Sequence, residues 1–358
     1  MFVHHPPRRF AASARSIALA LAAVTIFAAC SSAEGGEGTT ASGPCEPAET
    51  PVISFAAYST PREAYGKIIP AFVSQWKEDN NDQNVIFQES YAGSTAQAAN
   101  VIAGYPADVV ALSLAPDVDQ IADAGIITHD WTDTADAGMV STSVVVFDVR
   151  PGNPLGIADW DDLGSAEILT PDPASSGGAR WNLVSLWGAA LRGYAGVSEG
   201  DEAGATKLMQ DVLGNVLVFD KSARDSIQNF EAGNGNVAIT YENEVLTAQE
   251  AGLEDEAVYP PSTVLIENPV AIVDKNVDEH CVREVAEAFV DYLHTPEAKE
   301  IFTDVGFLRS TDVKEAQKGG GQFPAIEDLF TVDEIGGWDA LNEKLFSDSG
   351  IVTQAIAG

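Results

Sequence analysis

The stretch PASSGGARWN, Pro173 to Asn182, decides the reading of this chain. Two serines and two glycines stand directly before an apolar run with helical spacing, Trp181, Leu183, Val184, Leu186, Trp187, Ala190 and Leu191. Directly before them lies the short apolar segment AEILTPD (166–172), which reads as a strand. Strand, donor-rich turn and helix in that order make one unit of a parallel α/β architecture.

Working outward, the same alternation recurs along the chain. VISFAAYS (52–59), NVIFQESYA (84–92), ADVVALSLA (107–115) and STSVVVFDV (141–149) read as strands, with helices from Pro61 to Trp76 and from about Thr95. VLVFD (216–220), NVAITYENE (236–244) and PVAIVDK (269–275) continue the strand series. A chain of 358 residues with 45% hydrophobic residues favours two such units over one. The expected class is α/β, with two mostly parallel sheets flanked by helices.

The N-terminus follows different rules. Arg8, Arg9 and Arg15 precede an apolar run from Ile17 to Ala29 that is too short to span a bilayer comfortably. It ends in Phe27-Ala28-Ala29-Cys30, which resembles a bacterial lipobox, so residues 1–29 read as a lipoprotein signal peptide and Cys30 as the lipidated first residue of the mature chain. The Ser/Gly/Thr-rich segment that follows reads as a flexible tether over 30–50. The expected location is the outer face of the cytoplasmic membrane, with the lipid as the anchor. Cys45 and Cys281 remain, as a disulfide or as two free thiols.

The sequence holds 19 basic and 54 acidic residues, and the signal segment removes three arginines and no acid, so 19 − 3 = 16 basic residues remain and the net charge is −38. That excludes nucleic acid as a natural partner, since phosphates need a basic face. The acids are scattered rather than blocked, as on a solvated surface.

Four strand-to-helix turns carry cap signatures: Ser59-Thr60-Pro61-Arg62-Glu63, Ser94 with Gln97 after Gly93, Ser176-Gly177-Gly178, and Ser222-Ala223-Arg224-Asp225. A helix N-terminus presents unpaired N–H groups and the positive end of its dipole, so it binds anions without charged side chains. In doubly wound folds such turns sit at the carboxyl ends of the strands, where ligands bind. Several converging turns would build a cage of donors.

At these residues the chain resembles the sulfate- and thiosulfate-binding proteins of bacterial ABC importers. YSTPREAY (58–65), YAGSTAQA (91–98), ADVVALSLAPDVD (107–119), RPGNPLGIADWDDL (150–163), SSGGARWN (175–182), YENE (241–244) and NPVAIVDK (268–275) match that family in order. The resemblance implies a two-lobed type II periplasmic binding fold that closes over a dehydrated oxyanion and passes it to a membrane permease. It places the anion against Ser59, Ser94, Ser176, Gly177, Gly178, Ala223 and Tyr241. Ser59 stands where the family has aspartate, Tyr241 where it has tryptophan, and Asp225 where it has glycine. A phenol can accept as well as donate, and a carboxylate in the cleft would favour a protonated oxyanion such as phosphate over sulfate. Molybdate is a further alternative.

An enzyme is not expected, and neither is a metal or other cofactor. His129, His280 and His294 lie in no strand-to-helix turn, and no G-x-S-x-G elbow surrounds Ser94 or Ser176. Glu242 and Glu244, taken as i and i+2 on a strand, face the same way and suggest a solvated or hinge-bonded role. The expected organisation is lobe 1 from 51–144 and 271–358, lobe 2 from 145–270, with crossings near STSVVVF and NPVAIV.

Overall fold

The structure is a computed structural model and describes residues 45–357. Ten strands, β1 (Val52–Tyr58), β2 (Ile86–Ala92), β3 (Val109–Ala111), β4 (Met139–Val149), β5 (Ile168–Pro171), β6 (Val216–Asp220), β7 (Val237–Tyr241), β8 (Glu256–Val258), β9 (Ser262–Ile272) and β10 (Asp328–Phe330), are interleaved with helices. The helices that come before β8 are α1 (Arg62–Asp79), α2 (Ser94–Ile102), α3 (Ala115–Asp123), α4 (Gly177–Leu191), α5 (Glu202–Leu213), α6 (Ala223–Glu231) and α7 (Glu242–Glu250). Those after β9 are α8 (Asp274–His280), α9 (Arg283–Leu293), α10 (Pro296–Asp304), α11 (Val313–Lys318), α12 (Gly337–Leu341) and α13 (Ile351–Ala357).

The strand order β2-β1-β3-β9-β4-β7-β5-β6 has two parallel halves joined by two long antiparallel strands. In the first half β1 runs parallel to β2 and β3; in the second β5 runs parallel to β6 and β7. β4 and β9 pair with each other over Met139–Val144 and then part: β4 continues against β7 from Val145, and β9 against β3 from Val270.

Register places the site. Tyr58 is opposite Ala92, and Ala57 opposite both Tyr91 and Ala111, so β1, β2 and β3 end level and deliver Ser59, Gly93 and Ser113 to one edge. On the other half Pro171 is opposite Asp220 and Leu169 opposite Ala238, so the turns after β5, β6 and β7 share an edge too.

Each half has its own packing. The first surrounds Phe55, Tyr65, Phe72 and Phe289, and a second cluster on its other face includes Val110, Leu112 and Trp131. The second half is built around Trp160, Trp181, Trp187 and Phe147, with α4 at its centre. Nearly every residue of α4 from Gly177 to Ala190 is buried, as befits a helix that is apolar on all sides.

Three expectations change here. Phe330, Val332, Leu341, Leu345 and Val352 pack into the core of the second half, so the end of the chain does not stay with lobe 1 as the sequence reading had it. The reason is local: α12 and α13 put apolar faces on α4 and α5, and Trp338 meets Trp181 edge to face at 4.8 Å. Glu242–Glu250 is a helix, so the strand reading of NVAITYENE stops at Tyr241. The chain is held from Cys45 onward, because Cys45 and Cys281 form a disulfide and Gln83 donates to the Ala48 carbonyl, so the described residues 45–50 are not a free tether. The signal segment and Cys30 lie outside the described residues.

Candidate functional site: a cavity at the convergent helix N-termini

Tyr58, Ser59, Thr60, Ala92, Gly93, Ser94, Ser113, Ser176, Gly178 and Ala223 enclose a small cavity between the two sheet edges. Its free volume is about 10 Å³, room for about one water. No charged side chain is among these lining residues. Ser59, Ser94, Ser176, Gly178 and Ala223 are therefore brought together; Gly177 and Tyr241 stand just behind them.

The helix starts are held by different means. Ser176 caps α4, its hydroxyl oxygen accepting from the Ala179 N–H at 3.4 Å, while its own N–H is taken by the Asp172 carbonyl at 2.8 Å. The Gly177 and Gly178 N–H groups are left as first-turn donors. Trp181 Nε1 donates to the Ser113 carbonyl at 2.6 Å, and Asn182 donates to the Ile239 carbonyl at 2.7 Å, so the N-terminus of α4 is locked on both sides. Ser222 caps α6 by accepting from the Asp225 N–H at 3.2 Å, and its hydroxyl donates to the Asp225 carboxylate at 2.8 Å. Asp225 is thus committed to the cap and does not line the cavity.

The caps of the first half differ from the sequence pattern. The residue before α1 is Pro61 with no side-chain cap, and Glu63 pairs with Arg224 rather than completing a capping box with Thr60. Gly93, not Ser94, is the N-cap of α2. The Ser94 hydroxyl donates to Asp117 at 2.5 Å and accepts from the Ser113 N–H at 3.0 Å, so its proton is spent on a carboxylate and Ser94 offers the cavity its backbone. Burial pushes Asp117 above the ordinary carboxylate range, offset in part by Ser94, Arg180 and Thr95.

Two glycines are required by close approach. A Cβ on Gly93 would lie 2.3 Å from the Ser175 carbonyl oxygen and 2.8 Å from that of Lys221, because the start of α2 docks directly on the second half, where Ala96 N–H donates to the Ser175 carbonyl at 3.0 Å. A Cβ on Gly177 would lie 2.2 Å from Ser113 Oγ. Gly177 is thus a packing glycine, whereas a Cβ on Gly178 would make ordinary contacts of 3.4–3.5 Å with Ser176, Ala223 and Tyr241.

The arginines beside the cavity are all engaged. Arg224 binds Glu244 (2.8 Å) and both oxygens of Glu63 (2.7 and 2.9 Å), linking α6 and α7 to α1 across the cavity. Burial works against its charge, but Glu244 and Glu63 outweigh burial and hold the guanidinium above its ordinary value. Arg180 donates to the Pro173 carbonyl and to Asn342. Glu242 is paired in bidentate fashion with Arg309, both bonds 2.6 Å. Glu242 and Glu244 are therefore neither solvated nor on one face; two residues apart on a helix they point to different arginines.

Tyr241 is buried, with its phenol directed at Ser113 and Asn268 but without a hydrogen bond of its own. Sequence reasoning missed Ser113, whose hydroxyl also has no partner. Its signal was its place at the end of β3, level with the ends of β1 and β2.

Residues 53–308 match the family model described as bacterial extracellular solute-binding protein. The chain is 39% identical to a sulfate-binding protein of Synechococcus elongatus over 96% of this chain and 97% of that one. It is 34% identical to a thiosulfate-binding protein of Pseudomonas aeruginosa over 86% and 92%. Its fold superposes on the sulfate-binding protein SubI from Mycobacterium tuberculosis H37Rv with a TM-score of 0.74 at 33% identity, covering 83% of this chain and all of that one. The chain belongs to the bacterial extracellular solute-binding proteins. Within them it stands beside the sulfate- and thiosulfate-binding proteins, as its sequence resemblance implied.

Proposed function

We propose that this protein captures sulfate or thiosulfate between the two sheet halves and hands it to an ABC permease. The observation that carries this reading is the cavity itself: the starts of α2, α4 and α6 converge on it, and no carboxylate lines it. Sulfate at neutral pH has no proton to offer, so a wall of N–H and O–H donors favours it, while phosphate would call for an acceptor. With Asp225 turned into its own helix cap, the feature that pointed to phosphate is absent from the lining. The donors belong to two sheet halves joined by β4 and β9, which supports closure of two lobes about those strands as the binding step. Buried dipoles hold a charge more strongly than they would in water. The role is binding and presentation, with no chemical step on the anion. Tethering through Cys30 at the outer face of the cytoplasmic membrane completes the proposal, and among the described residues no helix is long and apolar enough to cross a membrane.

Calorimetric titration with sulfate, thiosulfate, molybdate and phosphate at pH 6 and pH 8 tests the ligand. Sulfate or thiosulfate binding that is the same at both pH values, with no phosphate heat, is the expected result. Phosphate as the tighter ligand would refute the donor-only cage. Loss of the protein from the membrane fraction on Cys30→Ser is expected of the tether.

A further inference from the structure

We infer that the Ser113 hydroxyl is a further hydrogen-bond donor to the bound oxyanion, and that the Tyr241 phenol acts behind it as a positioning group. The inference rests on the oxyanion reading above and deepens it.

The hydroxyls around the cavity differ in what they have left to give. Ser94 has spent its proton on Asp117. The Thr60 and Tyr58 hydroxyls lack a hydrogen-bond partner as Ser113 does, but each has a polar group to turn to outside the cavity lining, Glu244 for Thr60 and Ser141 for Tyr58. Ser113 is 1% exposed, lines the cavity, and has an unpaired Oγ. Its backbone is fixed at both ends: the N–H donates to Ser94 Oγ at 3.0 Å, and the carbonyl accepts from Trp181 at 2.6 Å and Asn268 at 3.4 Å. Gly177 closes off one flank, since any Cβ there would fall 2.2 Å from the Ser113 Oγ. A buried hydroxyl held this firmly without a partner costs free energy unless something in the cavity accepts from it.

Tyr241 explains how the proton is aimed. Its phenol faces Ser113 and Asn268, and it is not itself among the residues lining the cavity. A phenol that donates to Ser113 Oγ leaves the serine proton free to point at the anion, and a chain of two hydroxyls polarises in the direction of the charge. Tyr241, placed against the anion by the family resemblance, thereby acts at one remove, and Ser113 is the atom in contact.

The test is a double-mutant cycle on the whole protein with sulfate as the probe. Ser113→Ala is expected to weaken binding by about tenfold or more, the scale of a hydrogen bond to a charged acceptor. Ser113→Cys, which keeps the bulk and donates weakly, is expected to fall between. Tyr241→Phe is expected to weaken binding by roughly threefold, and to add nothing in the Ser113→Ala background. Thermal unfolding without ligand is expected to change little in Ser113→Ala, since the variant loses the acceptor of the Tyr241 phenol but also a buried hydroxyl proton that has no acceptor until the anion binds. A Ser113→Ala affinity within twofold of the parent overturns the inference, and so does a Tyr241→Phe loss that adds in full. A parent that takes up neither sulfate nor thiosulfate overturns the oxyanion reading first, and this inference with it.

Discussion

Two glutamates of one tetrapeptide, Glu242 and Glu244 of YENE, are both buried and both paired with arginine, yet they hold different things together. Glu242 meets Arg309, which also donates to the Ala316 and Pro324 carbonyls, so the pair pins the segment after α10 onto the start of α7. Both side chains are 1% exposed or less. Glu244 meets Arg224, whose other end grips Glu63 on α1, in the opposite sheet half. There the arginine is 19% and Glu63 37% exposed. The first pair is part of the fold, and the second is a tie across the cavity. A third buried carboxylate, Asp148 on β4, lies near Glu244, Asp255 and Glu231 and has no hydrogen bond to either oxygen.

The sharpest contrast is expected from Glu242→Gln. Removing the charge leaves Arg309 buried without its partner, which costs about 3–5 kcal/mol in pairs of this kind. Unfolding followed by denaturant is expected to show that loss, while sulfate affinity, measured where the variant is still folded, stays within about twofold. A stability change under about 1 kcal/mol, the range of exposed pairs, would erase the distinction between the two glutamates.

Asp148 is the unpaired counterpart. Burial, reinforced by Asp255, Glu231 and Glu244 and opposed by Arg150, pushes its carboxyl up to about 8. The folded value lies above the unfolded one, so the folded chain binds the extra proton. Its contribution to stability is full below about pH 4 and is lost as pH rises to about 8, with a slope of up to about 1.4 kcal/mol per pH unit. Asp148→Asn is expected to match the parent near pH 4 and to be the more stable of the two at pH 9, as read by thermal unfolding at both values. Equal stabilities at pH 9 would mean that Asp148 has a partner there.

Much of this was legible in the sequence, and the failures share a cause. The βα alternation and the SSGG turn follow from local patterns of period 2 and 3.6 that burial then respects. The caps at Ser176 and Ser222 were readable because a cap is a contact over three residues. What sequence could not supply is competition from distant groups. Asp117 took the Ser94 hydroxyl, Arg224 took Glu63, and Ser175 and Lys221 made Gly93 an obligatory glycine beside Gly177, although Gly177 and Gly178 carried the louder signal. Tyr241 was placed against the ligand because its position matched the family's tryptophan, and Ser113 was passed over because it lies two residues past a three-residue strand and carries no cap signature.

The smallest effect belongs to the exposed end of the tie. Glu63→Gln keeps one hydrogen-bond acceptor and leaves the Arg224–Glu244 contact in place, so the fold has little to lose. The half-exposed pair is screened by solvent, and its removal is expected to cost under about 1 kcal/mol. If the tie forms only on closure, that loss appears in the ligand rather than in the fold: a roughly twofold to fivefold weaker sulfate affinity, carried by faster dissociation, with the unfolding midpoint of the ligand-free protein unchanged. The direction with pH is fixed by Glu63. Burial raises its carboxyl, but the hydrogen bonds and charge of Arg224 outweigh burial and hold it below the ordinary value. Its contribution is therefore present above the unfolded value near 4.3 and fades as pH falls through the folded one, so parent and variant converge in acid. Stopped-flow dissociation at pH 7 and pH 3 reads both features. A rate difference that persists unchanged in acid, or a midpoint that falls as far as in Glu242→Gln, would show that Arg224 braces the fold in the same way as Arg309.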